Sequence, residues 1–134
     1  MRGNGFLCIA ILIAKSFLFS KMGKIDFNNK TFSLLENSQE GKVNSNTIFE
    51  YKQEGNLVTA DYYGGTIQYG KIIAKLKDKQ LDMLYQCITT EGELKAGKAI
   101  ADITINSNKK LELSLQWEWL NGSKERGTSY YVEN

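Results

Sequence analysis

Trp117 and Trp119 stand two positions apart in the run Leu111-Glu-Leu113-Ser-Leu115-Gln-Trp117-Glu-Trp119. Odd positions are all apolar and even positions all polar, so both indoles share one face of a strand. Two indoles on one face make an aromatic wall for a planar or hydrophobic ligand. The same pattern also describes plain barrel core, where large aromatics are expected. Tyr51, Tyr69 and Tyr85 add phenol hydroxyls that either enter such a pocket or lean at its mouth with their OH groups in water. These five residues are the candidate ligand-binding set.

Catalytic and metal chemistry is poorly supplied. The chain has 134 residues and no histidine. That removes Ser-His-Asp and Cys-His catalysis, His-ligated metals and histidine pH switching. Cys87 would be a lone nucleophile, activated only by a nearby lysine or a helix end, and a small buried thiol is the plainer role. Asp61 and Asp102 fall in strand interiors. Pointing inward, they could hold a cation or act as a general base. Facing water is the default, and the pattern around Tyr62-Tyr63-Gly64 leaves the face of Asp61 open. Lys71, Lys75, Lys77, Lys79 and Lys109-Lys110 read as solvated edges that discourage strand-to-strand aggregation. No metal-ligand spacing, phosphate loop or capped amphipathic helix occurs, so neither catalytic residue nor cofactor nor metal is assigned.

The elements that position these side chains are strands. Period-two alternation, broken by short turn clusters, runs through residues 30–36, 47–53, 57–63, 66–76, 81–89, 94–105, 111–119 and 127–133. Residues 81–89 put Leu81, Met83, Tyr85 and Cys87 on one side. Asn121-Gly122 is a strong hairpin dipeptide. Connections of mostly two to five residues make sequence neighbours pair, which gives a meander. Eight strands with one apolar face leave two raw edges, and closure into an up-and-down barrel removes them. Such a barrel is filled by side chains or holds one small ligand. Gly64, Gly65, Gly70 and Gly97, in or beside strands, are expected at bulges or bends. Residues 37–46 form the longest loop.

The charge divides the chain in two. Arg2, Lys15 and Lys21 precede the first acid, Asp26, and without them 14 basic residues face 15 acidic ones. The body therefore has no basic excess for nucleic acid. Residues 1–21 also hold the apolar run 6–14, too short to cross a bilayer but suited to the h-region of a secretory signal. Its cleavage signature is poor. Translation from Met22, with residues 1–21 as a mis-assigned upstream extension, is the other reading. Residues 22–134 form one domain. With Cys8 absent from the mature protein, Cys87 has no intramolecular partner, which fits a reducing, cytoplasmic compartment.

Several stretches resemble a known family. They are Tyr51-Lys-Gln-Glu-Gly55-Asn-Leu-Val-Thr-Ala60-Asp-Tyr-Tyr-Gly64-Gly65, Ile67 and Gly70, Met83-Leu-Tyr85-Gln, Thr90-Glu-Gly92-Glu-Leu94, Gly97, the Trp117/Trp119 pair and Gly127-Thr-Ser129. Their order is similar to small bacterial proteins with a calycin-like (lipocalin-like) β-barrel, over roughly residues 27–133. Relatives begin near Met22. Many have a carboxylate two residues before the tryptophan pair, where this chain has Leu115. Many carry the label "N-acetylglutamate synthase", which implies acetyl transfer from acetyl-CoA to glutamate. Acetyltransferases of the usual α/β kind hold the pyrophosphate at a helix N-terminus behind a glycine-rich loop, and this sequence offers neither.

The expectation is an all-β, eight-stranded antiparallel calycin-like barrel. Its leading function is a non-catalytic binding module with an aromatic-lined interior, taking a small hydrophobic or aromatic ligand. One alternative is the acetyltransferase of the family label. Another is a secreted or membrane-tethered interaction protein, which needs residues 1–21 to be a real leader.

Overall fold

The computed structural model of the protein describes residues 25–38 and 41–134. The hydrophobic segment 1–21 and Cys8 lie outside the described residues. The body is eight antiparallel strands closed into one barrel. They are β1 (Lys30–Asn37), β2 (Ile48–Glu54), β3 (Leu57–Gly64), β4 (Ile67–Lys77), β5 (Gln80–Thr89), β6 (Leu94–Ile105), β7 (Leu111–Trp119) and β8 (Arg126–Glu133). Each strand pairs with its sequence neighbours, and β1 pairs with β8 through Phe32↔Glu133 and Leu34↔Tyr131 to close the wall. No edge is left unpaired, as the alternating pattern demanded.

Alternation sorts the side chains cleanly in most strands. On β7, Leu111, Leu113, Leu115, Trp117 and Trp119 are buried while Gln116 is exposed. Opposite them, β6 turns small side chains inward at Ala99 and Ala101. Large rings facing small residues is how a narrow barrel fills its interior without overpacking.

Three register shifts interrupt the ladder, between Leu34/Glu36, Tyr62/Gly64 and Ile67/Tyr69. Gly64 sits at the second with φ +105, a backbone open to glycine and few others. The third shift decides the side on which Tyr69 stands. Ile67 is buried, Gln68 and Tyr69 are both exposed, and Gly70 is buried again. A bulge gives one extra residue to β4, so two successive side chains point outward.

The barrel has two unlike ends. At one, Phe27 packs on Phe32 and Tyr51 with ring centroids 5.7 and 5.2 Å apart. Asp26 Oδ1 accepts a bond from the Asn28 amide at 2.8 Å, and the Phe27 amide donates to Gln53 Oε1 at 2.8 Å. This turn presses Phe27 into the barrel, and Val58, Leu81 and Leu113 fill the rest of that end. At the other end, the connections after β1, β3, β5 and β7 surround Trp117, Trp119 and Tyr85. That end is open.

Candidate ligand-binding site

A cavity of about 40 Å³ lies inside the open end, with Phe49, Tyr62, Tyr85, Trp117, Trp119 and Tyr131 as its aromatic lining. Met83, Cys87, Leu115 and Ile72 complete the apolar part, and Asn37 and Ser129 supply the polar part. Gly41, Lys42 and Val43, from the connection after β1, line it near the mouth.

Glycines opposite the rings make this lining possible. Tyr62 pairs with Gly70, Tyr85 with Gly97 and Trp117 with Gly127 across neighbouring strands. A Cβ added to those glycines would come within 2.1, 2.4 and 2.2 Å of the respective ring. Each ring therefore lies flat on the space its cross-strand glycine leaves. Gly70 and Gly97, expected from sequence at bulges or bends, serve here as ring seats, and Gly70 also follows the Ile67/Tyr69 bulge. The rings also hold one another. Tyr85 meets Trp119 edge to face at 5.7 Å, Trp117 tilts on Trp119 at 5.8 Å, and Phe49 stacks on Tyr62 at 4.8 Å. Such contacts fix ring planes beyond what burial alone does.

A chain of hydrogen bonds crosses the cavity wall. Trp117 Nε1 donates to Ser129 Oγ at 2.8 Å, and Ser129 Oγ donates to Asn37 Oδ1 at 2.5 Å. Asn37 Nδ2 donates to the Val43 carbonyl at 2.9 Å. The chain links β7, β8, β1 and the following connection, so the polar patch is held by three strands.

Burial pushes the phenols of Tyr62, Tyr85 and Tyr131 far above their ordinary range. They remain protonated, and therefore potential donors, at any physiological pH. Burial also raises the Cys87 thiol, and a bond to Tyr62 partly offsets this. The cavity thus offers neutral hydroxyls, an amide and flat apolar faces. Among the described residues no group of three or more His, Cys, Asp or Glu side chains is placed to hold a metal ion.

The five residues singled out from the sequence do not all meet. Tyr85, Trp117 and Trp119 line the cavity together. Tyr51 is buried at the opposite end against Phe27 and Phe32. Tyr69 is 50% exposed on the outer wall and donates to Asp61 Oδ1 at 2.6 Å. Asp61 also accepts from Lys71 at 3.0 Å, and Asp102 accepts from Gln80 Nε2 at 2.7 Å, so both acids belong to the outer surface.

Sequence reasoning missed Ser129, Asn37, Tyr62 and Tyr131 in the lining, and it missed Lys95. Lys95 is the first of the inward row Lys95, Gly97, Ala99, Ala101 and Ile103 on β6. Its ammonium lies 4.6 Å from the centroid of the Trp119 ring. The signal was present, because a lysine in phase with four small or apolar residues must face in.

A closed eight-stranded barrel with an aromatic cavity at one end fits the calycin-like expectation. No curated protein and no solved structure matches the chain. The family model described as "Avidin-like protein" matches residues 25–134, the whole barrel, and the chain therefore belongs to the avidin-like family.

Proposed function

We propose that this barrel is a non-catalytic binding protein that takes one small, flat ligand through its open end. The cavity among Tyr85, Trp117 and Trp119 carries this reading, because it joins aromatic faces to a fixed polar patch at Ser129 and Asn37. A few convergent polar groups in an apolar concavity are what orients a small molecule. Membership of the avidin-like family supports the same class of function.

As folded, 40 Å³ is room for a few water-sized groups and no ring. A ring-sized ligand enters only if Tyr85 or Trp119 changes rotamer at the mouth. Both have flat, two-angle side chains on the open end, so the required motion is local.

Binding is tested by titrating the protein with 1-naphthaleneacetamide and with biotin, a ligand of avidin-like barrels. Tryptophan fluorescence and native mass spectrometry give the readout. Saturable one-to-one binding that weakens in Trp119→Ala and not in Tyr69→Phe supports the reading. No binding of either probe, with no small molecule retained by protein from its own host, overturns it. Incubation with acetyl-CoA and glutamate covers acetyl transfer, and turnover there would replace a binding role with an enzymatic one.

A further inference from the structure

We infer that Lys95 anchors a carboxylate on the ligand, so that the cavity selects flat apolar acids over neutral molecules of the same shape. The inference rests on the binding role proposed above and narrows its ligand class.

Lys95 is a charged side chain only 6% exposed. The row it opens on β6 is otherwise Gly97, Ala99, Ala101 and Ile103, where packing calls for small or apolar groups. The four ion pairs of the described residues belong to Lys30, Lys42, Lys71 and Arg126, and none to Lys95. Its ammonium lies over the Trp119 face. The stem is buried while the ammonium keeps contact with water, so Lys95 holds a fixed positive charge against the Trp119 ring.

The position suits a ligand's carboxylate arriving at the cavity. Lys95 pairs across the sheet with Cys87, and both Cys87 and Trp119 line the cavity. Lys95 stands beside the lining rather than in it, and a ligand whose ring lies along Trp119 has the ammonium within one ring's reach. Lys42, which lines the mouth, is 3.8 Å from Glu93. Glu93 pairs with Lys42, whereas Lys95 forms no ion pair among the described residues. One unpaired ammonium suits a single carboxylate. A phosphate, with its greater charge, is ordinarily met by arginine forks or rows of backbone N–H groups, and the cavity lining has neither.

The test compares 1-naphthaleneacetate with 1-naphthaleneacetamide, which match in shape and differ in charge. Both are titrated into the full chain and into Lys95→Met, which keeps the apolar stem on Trp119. The native chain is expected to bind the acid about tenfold more tightly, as one charge-assisted contact allows. Lys95→Met is expected to lose that preference and keep its affinity for the amide. Equal affinity for acid and amide in the native chain overturns the inference and leaves the binding role standing. So does a preference that survives Lys95→Met. Failure to bind either probe overturns the binding role and this inference with it. Should Lys95→Met not fold, Lys95→Gln gives the same reading, and the comparison in the native chain stands without any variant.

Discussion

Trp117 on β7 donates its indole N–H to the Ser129 hydroxyl on β8 at 2.8 Å, and the two residues are not register partners. Trp117 pairs with Gly127 and reaches along β8 to Ser129, its ring lying over the glycine. One glycine and one serine, two positions apart, thus set both the plane and the polar edge of the indole. Ser129→Ala would leave a buried N–H without its acceptor and Asn37 without its donor. The expected loss is about 1–3 kcal/mol, read as a lower urea midpoint with an unchanged slope. Ser33→Ala, which removes an exposed bond to Asn134, is the comparison and should cost far less. Equal midpoints for the native chain and Ser129→Ala would show that the bond contributes nothing.

Gly97→Ala would place a methyl 2.4 Å from the Tyr85 ring. The ring must leave its seat, and with it the edge-to-face contact on Trp119. Forced repacking of this kind costs about 1–3 kcal/mol. The near-ultraviolet circular dichroism of the tryptophans should change as well. Adding Tyr85→Leu to Gly97→Ala should recover part of the loss, because the pair in contact is not additive. Full additivity would mean that the ring and the glycine do not depend on each other.

The barrel was legible because water and core impose period two, and β7 shows it over nine residues without a break. Closure followed from the edges that eight meandering strands would otherwise expose. The site was less legible. Tyr69 shares its phase with Ile67 in the sequence, yet a backbone bulge just before Gly70 turns it outward; the glycine signalled an irregularity there but not which side chain it redirects. Tyr51 does face inward, but alternation does not say at which end a side chain lies. That depends on the direction of β2, which runs away from the open end. Ser129 and Asn37 carry no pattern, since their role comes from strands β8 and β1 meeting only on closure. Lys95 is the opposite case. Its inward phase was readable, and the habit of assigning lysines to solvent hid it.

Asp61 gives a pH dependence of defined sign. The hydrogen bond from Tyr69, then that from Lys71, holds its carboxyl below the usual range. Its stabilising contribution is therefore complete above the unfolded carboxylate value of about 3.9 and disappears as pH falls through the lower folded value. Tyr69→Phe removes the larger cause. The Asp61 titration should move upward, seen by carboxyl carbon NMR, and the variant should be slightly less stable than the native chain at pH 7. The two should converge at pH 2. The side chain is about a third exposed, so the difference is small. A stability gap that persists undiminished at pH 2 would assign the loss to packing instead.

Cys87 links the cavity to a chemical readout. Its thiol is buried on the inward face of β5, and burial raises its pKa. Alkylation needs the thiolate and needs access, so the native protein should react with iodoacetamide far more slowly than the urea-unfolded chain. The pH profiles should also differ in shape. In the unfolded chain the rate levels off above about pH 8.5, where an ordinary thiol is already ionised. In the native protein the rise should continue past that point, because burial keeps the thiol protonated to higher pH. Peptide mass spectrometry at Cys87 separates this signal from Cys8. Because Cys87 lines the cavity, saturating 1-naphthaleneacetate should slow the native reaction further and leave the unfolded one unchanged. An unaltered native rate with bound probe would place the probe away from Cys87, and with it away from Trp119 and Lys95.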